Sequence, residues 1–269
     1  MLTVRTLRFP STSTGHWSCP VAATALAEDL APRAFARTDH ARRRAHAMWL
    51  GTPWPLMHAG VKRGAAVGVE ELAMLLRGFD PIHGLAGIKQ RGDRAVSGHL
   101  TFSAPNSVSW LWTQSDDEGR AEIEQAMIQA AHRMLGHLAL NRPLLDGEQA
   151  GTGYVAAIAL HAIARDSPQP PPPLLHVHCY LLGIAGEDGD TWAPDPGALA
   201  EETLGREGGA FGRAVLADEL RDLGFQIQAR TGHQGRYFEV KGVPTELLRP
   251  QVSVQARCDG PVQEEPYGA

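Results

Sequence analysis

Residues 99–109 have the sequence His99-Leu100-Thr101-Phe102-Ser103-Ala104-Pro105-Asn106-Ser107-Val108-Ser109, in which a strand pattern runs into a turn and the start of a helix. Residues 99–102 predict a β-strand with Leu100 and Phe102 on one face, because successive side chains of a strand point to opposite sides. The next four residues favour a turn, and a helix is expected from near Ser107. We therefore predict a strand that leads directly into a helix.

Three histidines occupy two further predicted strands, Thr152–Ile163 and Leu174–Ile184. Both segments are rich in Val, Ile, Leu and Tyr, and the proline-rich connection between them indicates a long hairpin. His176 and His178 share one face of the second strand, and His161 can lie on the same face if the strands pair antiparallel. The pattern predicts a facial triad of imidazole ligands, with coordination positions left for water or a phosphate oxygen.

The identity of the metal is left open by these residue types. Neutral imidazole suits Zn, Cu, Fe and Ni, whereas hard oxygen ligands suit Mg and Mn. Three imidazoles that converge on one face would be costly to bury without a cation, which favours a metal site. The triad by itself would equally suit a zinc hydratase or hydrolase, in which the metal acidifies a bound water.

Several segments of the chain resemble TrwC/TraI-type (MobF) conjugative relaxases, which are members of the HUH endonucleases. Residues 99–109 are similar to the strand-turn-helix DLTFSAPKSVS of that family. Leu160-His161 and Leu175-His176-Val177-His178 look like the family's first histidine and its DPQLHTHV motif, with a proline insertion between them. Residues 242–248 match a late family element, and the resemblance covers most of residues 45–250.

The resemblance implies an α+β fold with a palm-like antiparallel β-sheet and helices packed on one side. It implies one relaxase-like domain over residues 1–250, while residues 251–269 lose periodicity and are expected to form a disordered tail. In this family single-stranded DNA lies across the site, and three histidines bind a divalent cation, here His161, His176 and His178 with Mg, Mn or Zn. The metal polarises the scissile phosphate and an N-terminal tyrosine attacks it.

The chain departs from the family pattern at the nucleophile. None of its four tyrosines lies near the N-terminus: they are Tyr154, Tyr180, Tyr237 and Tyr267. An ungapped comparison with the family's paired-tyrosine helix puts other residue types at the tyrosine positions, namely Leu26, Ala27, Ala34 and Phe35. None of these side chains can attack phosphorus, so loss of the covalent step is expected.

Four further residues are candidates for the reaction or for contact with DNA. His99, the predicted catalytic residue, stands where the family has an acid, and it could add a fourth metal ligand or act as a base near neutral pH. Asn106 stands where the family has lysine, and with Ser107 and Arg165 it is predicted to contact nucleic acid. A turn or cap role for Ser107 and a solvated strand-end position for Arg165 are the alternatives.

The charge of the chain is unevenly distributed. The formal net charge is −5, from 25 Lys and Arg against 30 Asp and Glu. Residues 1–110 contain 13 bases and 7 acids, a balance of +6, which leaves 25 − 13 = 12 bases and 30 − 7 = 23 acids, a balance of −11, for the remainder. A basic face for nucleic acid is therefore expected in the N-terminal part, and an ordinary solvated surface is the alternative.

Three functional hypotheses follow from the sequence. The first is a divergent relaxase that binds single-stranded DNA and metal without forming the covalent link. The second is a metal-dependent nuclease in which metal-bound water, or a substitute such as His16, attacks. The third is a small-molecule metal hydrolase, which would have a closed pocket rather than an open basic groove. No P-loop pattern occurs, so a helicase or other conjugation protein is expected as a separate partner.

The remaining composition indicates where the protein acts. The N-terminus lacks the apolar stretch of a secretory signal, and the longest apolar segment is interrupted by His161, so no membrane span is expected. The three cysteines, Cys19, Cys179 and Cys258, lack close CxxC spacing, so neither a disulfide framework nor a cysteine-rich zinc site is indicated. A cytoplasmic location is therefore predicted.

Overall fold

The computed structural model describes residues 2–9, 47–90, 95–145, 150–162, 173–232 and 235–248. The strands in these residues are β1 Leu2–Phe9, β2 Met48–Gly51, β3 Ile88–Lys89, β4 Ala95–Ser103, β5 Gly153–His161, β6 His176–Ala185, β7 Thr191–Trp192, β8 Ile227–Gly232 and β9 Gly235–Val240. The helices are α1 Pro53–His58, α2 Val69–Leu76, α3 Asn106–Gln114, α4 Asp117–Asn141, α5 Pro196–Leu199 and α6 Glu202–Asp222, followed by a 3-10 turn at Thr245–Leu248.

An antiparallel sheet forms the centre of the fold. Its described strands follow the order β1-β4-β6-β5-β2, and each neighbouring pair is antiparallel. Short β7 pairs with the far end of β6 and runs parallel to β3, while β8 and β9 form a separate hairpin. The α+β class with a palm-like antiparallel sheet, predicted from the resemblance, is confirmed.

Helices α4 and α6 pack on one face of this sheet. Phe102 of β4 is fully buried on that face. A Cβ atom added at Gly212 of α6 would lie 2.9 Å from the Phe102 ring and 3.3 Å from the sulfur of Met134 in α4. Glycine at this position therefore lets α6 approach both the strand and the neighbouring helix. Because side chains alternate along β4, Leu100 and Phe102 face the helices, whereas His99 and Thr101 point to the opposite side.

Helix α4 is capped by an aspartate. Ser115 and Glu118 have the spacing of a capping box, but Asp116 is the N-cap, and its carboxylate accepts a hydrogen bond from the Gly119 backbone NH at 2.9 Å. Ser115 instead ends α3, where its hydroxyl donates to the Leu111 carbonyl at 2.8 Å. The Asp116 carboxylate accepts the same kind of hydrogen bond as a serine hydroxyl would. Its negative charge is also stabilised by the positive N-terminal end of the helix dipole.

Two predictions about the rest of the chain have different outcomes. Among the described residues, no helix has both the length and the apolar character that crossing a bilayer requires. The predicted tail, residues 251–269, lies outside the described residues.

Candidate metal centre

Strand pairing brings the three predicted histidine ligands together. His161 of β5 lies directly opposite His176 of β6, and His178 lies opposite Ala159, two positions further along. Directly opposed residues of an antiparallel pair project from the same face of the sheet. The potential ligand atoms of the three histidines all lie within 4.8 Å of one another. The predicted convergence of His161, His176 and His178 is therefore present in the fold.

The donor set of this cluster fits a divalent metal. The relative exposures of His161, His176 and His178 are 2%, 2% and 7%. The Nε2 atoms of His176 and His178 are 3.1 Å apart. Two imidazole nitrogens bound to one ion at about 2.1 Å are about 3.0 to 3.4 Å apart for angles between 90° and 109°. The spacing of the two nitrogens is thus already the spacing that a shared ion needs.

The second ring nitrogens of His176 and His178 are engaged on the side away from the cluster. His176 Nδ1 lies 2.8 Å from the Leu174 carbonyl, to which an Nδ1–H can donate. His178 Nδ1 lies 2.7 Å from Nε2 of His99. A ligand histidine whose Nδ1–H is held by an acceptor presents the lone pair of Nε2 to the metal. The described contacts therefore orient both rings for coordination through Nε2.

His99 lies beside the cluster and is not part of it. In the sheet it pairs with Arg5 of β1 and with Tyr180 of β6, whose ring stacks on it at a centroid distance of 4.5 Å. Burial, followed by the charges of Arg5 and His176, lowers the pKa of His99 to about 4. The ring is therefore neutral near neutral pH, contrary to the expectation that it titrates there. It contacts the metal ligand His178 rather than joining the group of converging ligand atoms.

Ser107 has a structural role in the fold, and the contact with nucleic acid predicted for it stays a prediction. It is fully buried at the start of α3. Its backbone NH donates to the Glu239 carboxylate at 3.0 Å, and its hydroxyl accepts from the Val240 NH at 2.8 Å. Both groups are thus occupied by the hairpin of β8 and β9. Asn106, the first residue of α3, is partly buried, and its contact with DNA stays a prediction.

Glu239 is a residue that the sequence analysis missed. Its side chain is 7% exposed and binds the N-terminal turn of α3, where a carboxylate satisfies a free backbone NH and favours the helix dipole. The only signal in the sequence is an acid placed between apolar residues, Phe238 and Val240. Through Glu239 the separate hairpin is tied to the helix that follows strand β4.

Replacing Glu239 with alanine is expected to lower the free energy of unfolding by about 1 to 3 kcal/mol, because it leaves a buried NH without its acceptor. Urea denaturation followed by circular dichroism measures this change. Glu187→Ala is the matched control, since Glu187 is exposed and its loss should change stability by less than about 0.5 kcal/mol. Equal stabilities of the two variants would contradict the role assigned to Glu239.

Other predicted site residues lie outside the described part of the chain. They are His16 and Arg165. The same holds for the positions compared with the family's tyrosines, residues 26–35. The nucleic-acid contact predicted for Arg165 and the basic N-terminal face therefore stay predictions.

Comparison with known proteins decides the family. The model of the TrwC relaxase family matches residues 31–253. The chain belongs to this family. It is 27% identical over 161 residues to the multifunctional conjugation protein TraI of Escherichia coli K12, a match that covers 55% of this chain and 9% of TraI. A second Escherichia coli TraI is 28% identical over 163 residues, with the same coverage. The matches thus span about a tenth of these relatives.

Solved structures of conjugative relaxase TrwC share the fold. The copper-bound TrwC structure in complex with oriT DNA superimposes with a TM-score of 0.62 at 25% identity, over 91% of this chain and 77% of TrwC. A metal-bound structure of TrwC in complex with oriT DNA gives a TM-score of 0.61 at 24% identity and the same coverage. The sheet that carries the three histidines is therefore the relaxase sheet.

Two of the tyrosines in this TrwC-family chain are structural. Tyr154 and Tyr180 are fully buried. The Tyr154 hydroxyl donates to the His132 carbonyl at 3.1 Å, and burial raises its pKa, which keeps the phenol protonated. Tyr237, on β9, is 40% exposed, and Tyr267 lies outside the described residues. A buried protonated phenol is a poor nucleophile, so Tyr154 is not suited to attack a phosphate.

Proposed function

We propose that this protein is a relaxase-family domain that holds single-stranded DNA across the three-histidine centre and does not form the covalent tyrosyl link. The observation that carries the proposal is the convergence of His161, His176 and His178 on the sheet of a chain that belongs to the TrwC relaxase family. The solved TrwC structures are complexes with oriT DNA, which supports DNA as the ligand here. The tyrosines available in the sequence do not include one near the N-terminus.

We infer that the metal is a first-row transition ion such as Zn²⁺ rather than Mg²⁺. Three neutral imidazoles are the donor set that suits Zn, Cu, Fe and Ni, whereas Mg²⁺ prefers oxygen ligands. A bound ion would polarise a phosphate oxygen of the DNA. His161, His176 and His178 would hold the ion, and three protein ligands leave a position open for that oxygen. The copper-bound state of TrwC is consistent with imidazole-type selectivity.

A metal-dependent nuclease is the second candidate. The observation that favours it is a complete set of three histidine ligands, which a catalytic metal site uses while keeping one position for water. Such an enzyme would hydrolyse DNA without any covalent intermediate. Family membership favours DNA over a small molecule as the substrate of either activity.

Fluorescence anisotropy with a labelled oligonucleotide, made of a hairpin and a randomised single-stranded extension, tests DNA binding. We expect binding that weakens as salt is raised, because Lys and Arg release counterions from the phosphates. A duplex of the same length and composition is the control for single-strand preference. Absence of binding, or binding that salt does not change, would refute the proposed function.

Incubation of the same oligonucleotide with protein loaded with Zn²⁺ or Mn²⁺, or mixed with Mg²⁺, separates the two candidates. Intact DNA and no protein-DNA adduct on a denaturing gel are expected for the binding protein. Cut DNA with a free 5′ end would establish the nuclease instead, and a covalent adduct would show that a protein nucleophile exists. A His178→Ala variant distinguishes cleavage at this centre from contamination.

We further propose that the protein acts in the cytoplasm on plasmid DNA during mobilisation, together with a separate helicase or other conjugation proteins. The relatives that it matches are multifunctional conjugation proteins, which supports this setting. Co-purification with an affinity-tagged form of the protein from donor cells tests for such partners.

A further inference from the structure

A hydrogen bond joins strand β4 to a metal ligand of strand β6. His99 Nε2 lies 2.7 Å from His178 Nδ1, and the two rings are nearly parallel, at 18°, with centroids 5.0 Å apart. His99 lies opposite Tyr180, so it contacts His178 diagonally across the strand pair. The contact therefore depends on the register between two strands that are far apart in the sequence.

The direction of this hydrogen bond follows from metal binding. If His178 coordinates through Nε2, which faces Nε2 of His176, its only ring proton is on Nδ1. That proton must be donated, and Nε2 of His99 is the atom within reach. His99 then carries its own proton on Nδ1. The two imidazoles are thus hydrogen-bonded in sequence: His99 with its proton on Nδ1 accepts at Nε2, and this requires His178 to carry its proton on Nδ1.

The surroundings of His99 hold its ring in place. The Tyr180 ring stacks on it at an interplanar angle of 7°, and β4 lies between β1 and β6, so its backbone is paired on both sides. A ring held by stacking on one side and by paired backbone beneath it has few alternative rotamers, which makes its Nε2 a fixed acceptor.

We propose that His99 is a positioning residue that fixes the Nδ1–H tautomer of His178 and thereby raises the affinity of the centre for its metal. The proposal rests on the proposed function for the presence of a metal. A neutral imidazole is a weaker acceptor than a carboxylate, which raises the basicity of a ligand histidine more strongly. The affinity of the centre is therefore set below the value that an acid at position 99 would produce.

Nitrogen-15 NMR of the histidine rings in Zn²⁺-loaded protein tests the positioning directly. In the wild type we expect His178 to coordinate through Nε2 alone and to carry its proton on Nδ1, with the chemical shifts of a single tautomer. In His99→Ala a mixture of coordination through Nε2 and through Nδ1 is expected, while His99→Asn, whose amide oxygen can accept the same proton, should restore the single tautomer. An unchanged tautomer in His99→Ala would overturn the proposal.

Competition titration of Zn²⁺ against a chromophoric chelator tests the consequence for affinity. His99→Ala is expected to bind about 10- to 100-fold more weakly than the wild type, the range found for loss of such a partner. His99→Asn should remain within a few-fold of the wild type, and His99→Asp should bind more tightly. His58→Ala, which removes an exposed histidine of α1, is the control for loss of an imidazole elsewhere. Equal affinities of the alanine variant and the wild type would also overturn the proposal.

The two measurements separate this inference from the proposed function. If the wild type binds no Zn²⁺, Ni²⁺ or Mn²⁺, the metal centre itself is refuted, and with it the effect on affinity. If the wild type binds metal and His99→Ala binds it equally well, the metal centre stands and only the role of His99 is refuted. Should His99→Ala fail to fold, the comparison of His99→Asn with His99→Asp decides, since equal affinities of these two variants would contradict the dependence on the acceptor.

Discussion

Replacing His161 with alanine is expected to weaken Zn²⁺ binding by more than about 100-fold, which exceeds the cost of losing a hydrogen-bonded partner of a ligand. Two imidazoles and water remain as ligands, and the buried position offers no substitute donor in the group of converging atoms. Titration of metal-free protein against a chromophoric chelator measures the change. His161 has the further advantage that it takes no part in the contact between His99 and His178.

The matched control for this experiment is again His58→Ala, which leaves the buried cluster intact. Both variants should keep the circular dichroism spectrum of the wild type, because the change at position 161 removes a side chain from the end of a strand. If the His161→Ala variant binds Zn²⁺ as tightly as the wild type, the three-histidine centre is not the metal site of this chain.

Replacing Phe102 with alanine is expected to lower the free energy of unfolding by about 3 to 5 kcal/mol, the cost of removing a buried aromatic ring and leaving a cavity. The ring lies against Gly212 of α6, so its loss leaves a cavity between this helix and β4. Urea denaturation at equilibrium measures the change. Leu140→Ala is the control, because Leu140 is 49% exposed at the end of α4. A loss below about 1 kcal/mol would contradict the central position of Phe102.

The two variants act on opposite faces of the sheet. The affinity of folded Phe102→Ala protein for Zn²⁺ is expected to match that of the wild type, since the ring points toward the helices and His178 points away from them. His161→Ala should in turn change the free energy of unfolding much less than Phe102→Ala does in metal-free protein. Such a result would separate the residues that hold the sheet together from those that form the centre.

Strand alternation and helix periodicity could be predicted from the sequence because both depend only on residues that are close together in the chain. The spacing of His176 and His178 placed them on one face, and the same argument assigned Leu100 and Phe102 to the core. In helix α4 the buried apolar residues recur at helical spacing from Ile123 to Leu138, close to the observed end of the helix at Asn141. The strand bounds were also close, although the hairpin strands are Gly153–His161 and His176–Ala185 rather than the longer predicted segments.

Contacts between segments that lie far apart in the sequence could not be predicted in this way. Strand β1, the first partner of β4, was not predicted at all, and the link from Glu239 to Ser107 joins residues 132 positions apart. The bond between His99 and His178 spans 79 positions and depends on which strands are neighbours and in which register. Side-chain alternation repeats every two residues whatever the partner strand is, so it carries no information on that choice.

The segment 99–109 contains both features that its own sequence determines and features that depend on distant parts of the chain. By itself its sequence determined a strand with one apolar face, a turn and a helix start, because these depend on neighbouring residues alone. Only the tertiary structure decided that His99 contacts His178 and that Ser107 is bound by the β8–β9 hairpin. The physical reason is that burial and hydrogen-bond partners are set by the strands and helices that pack against a segment, which lie far from it in the chain.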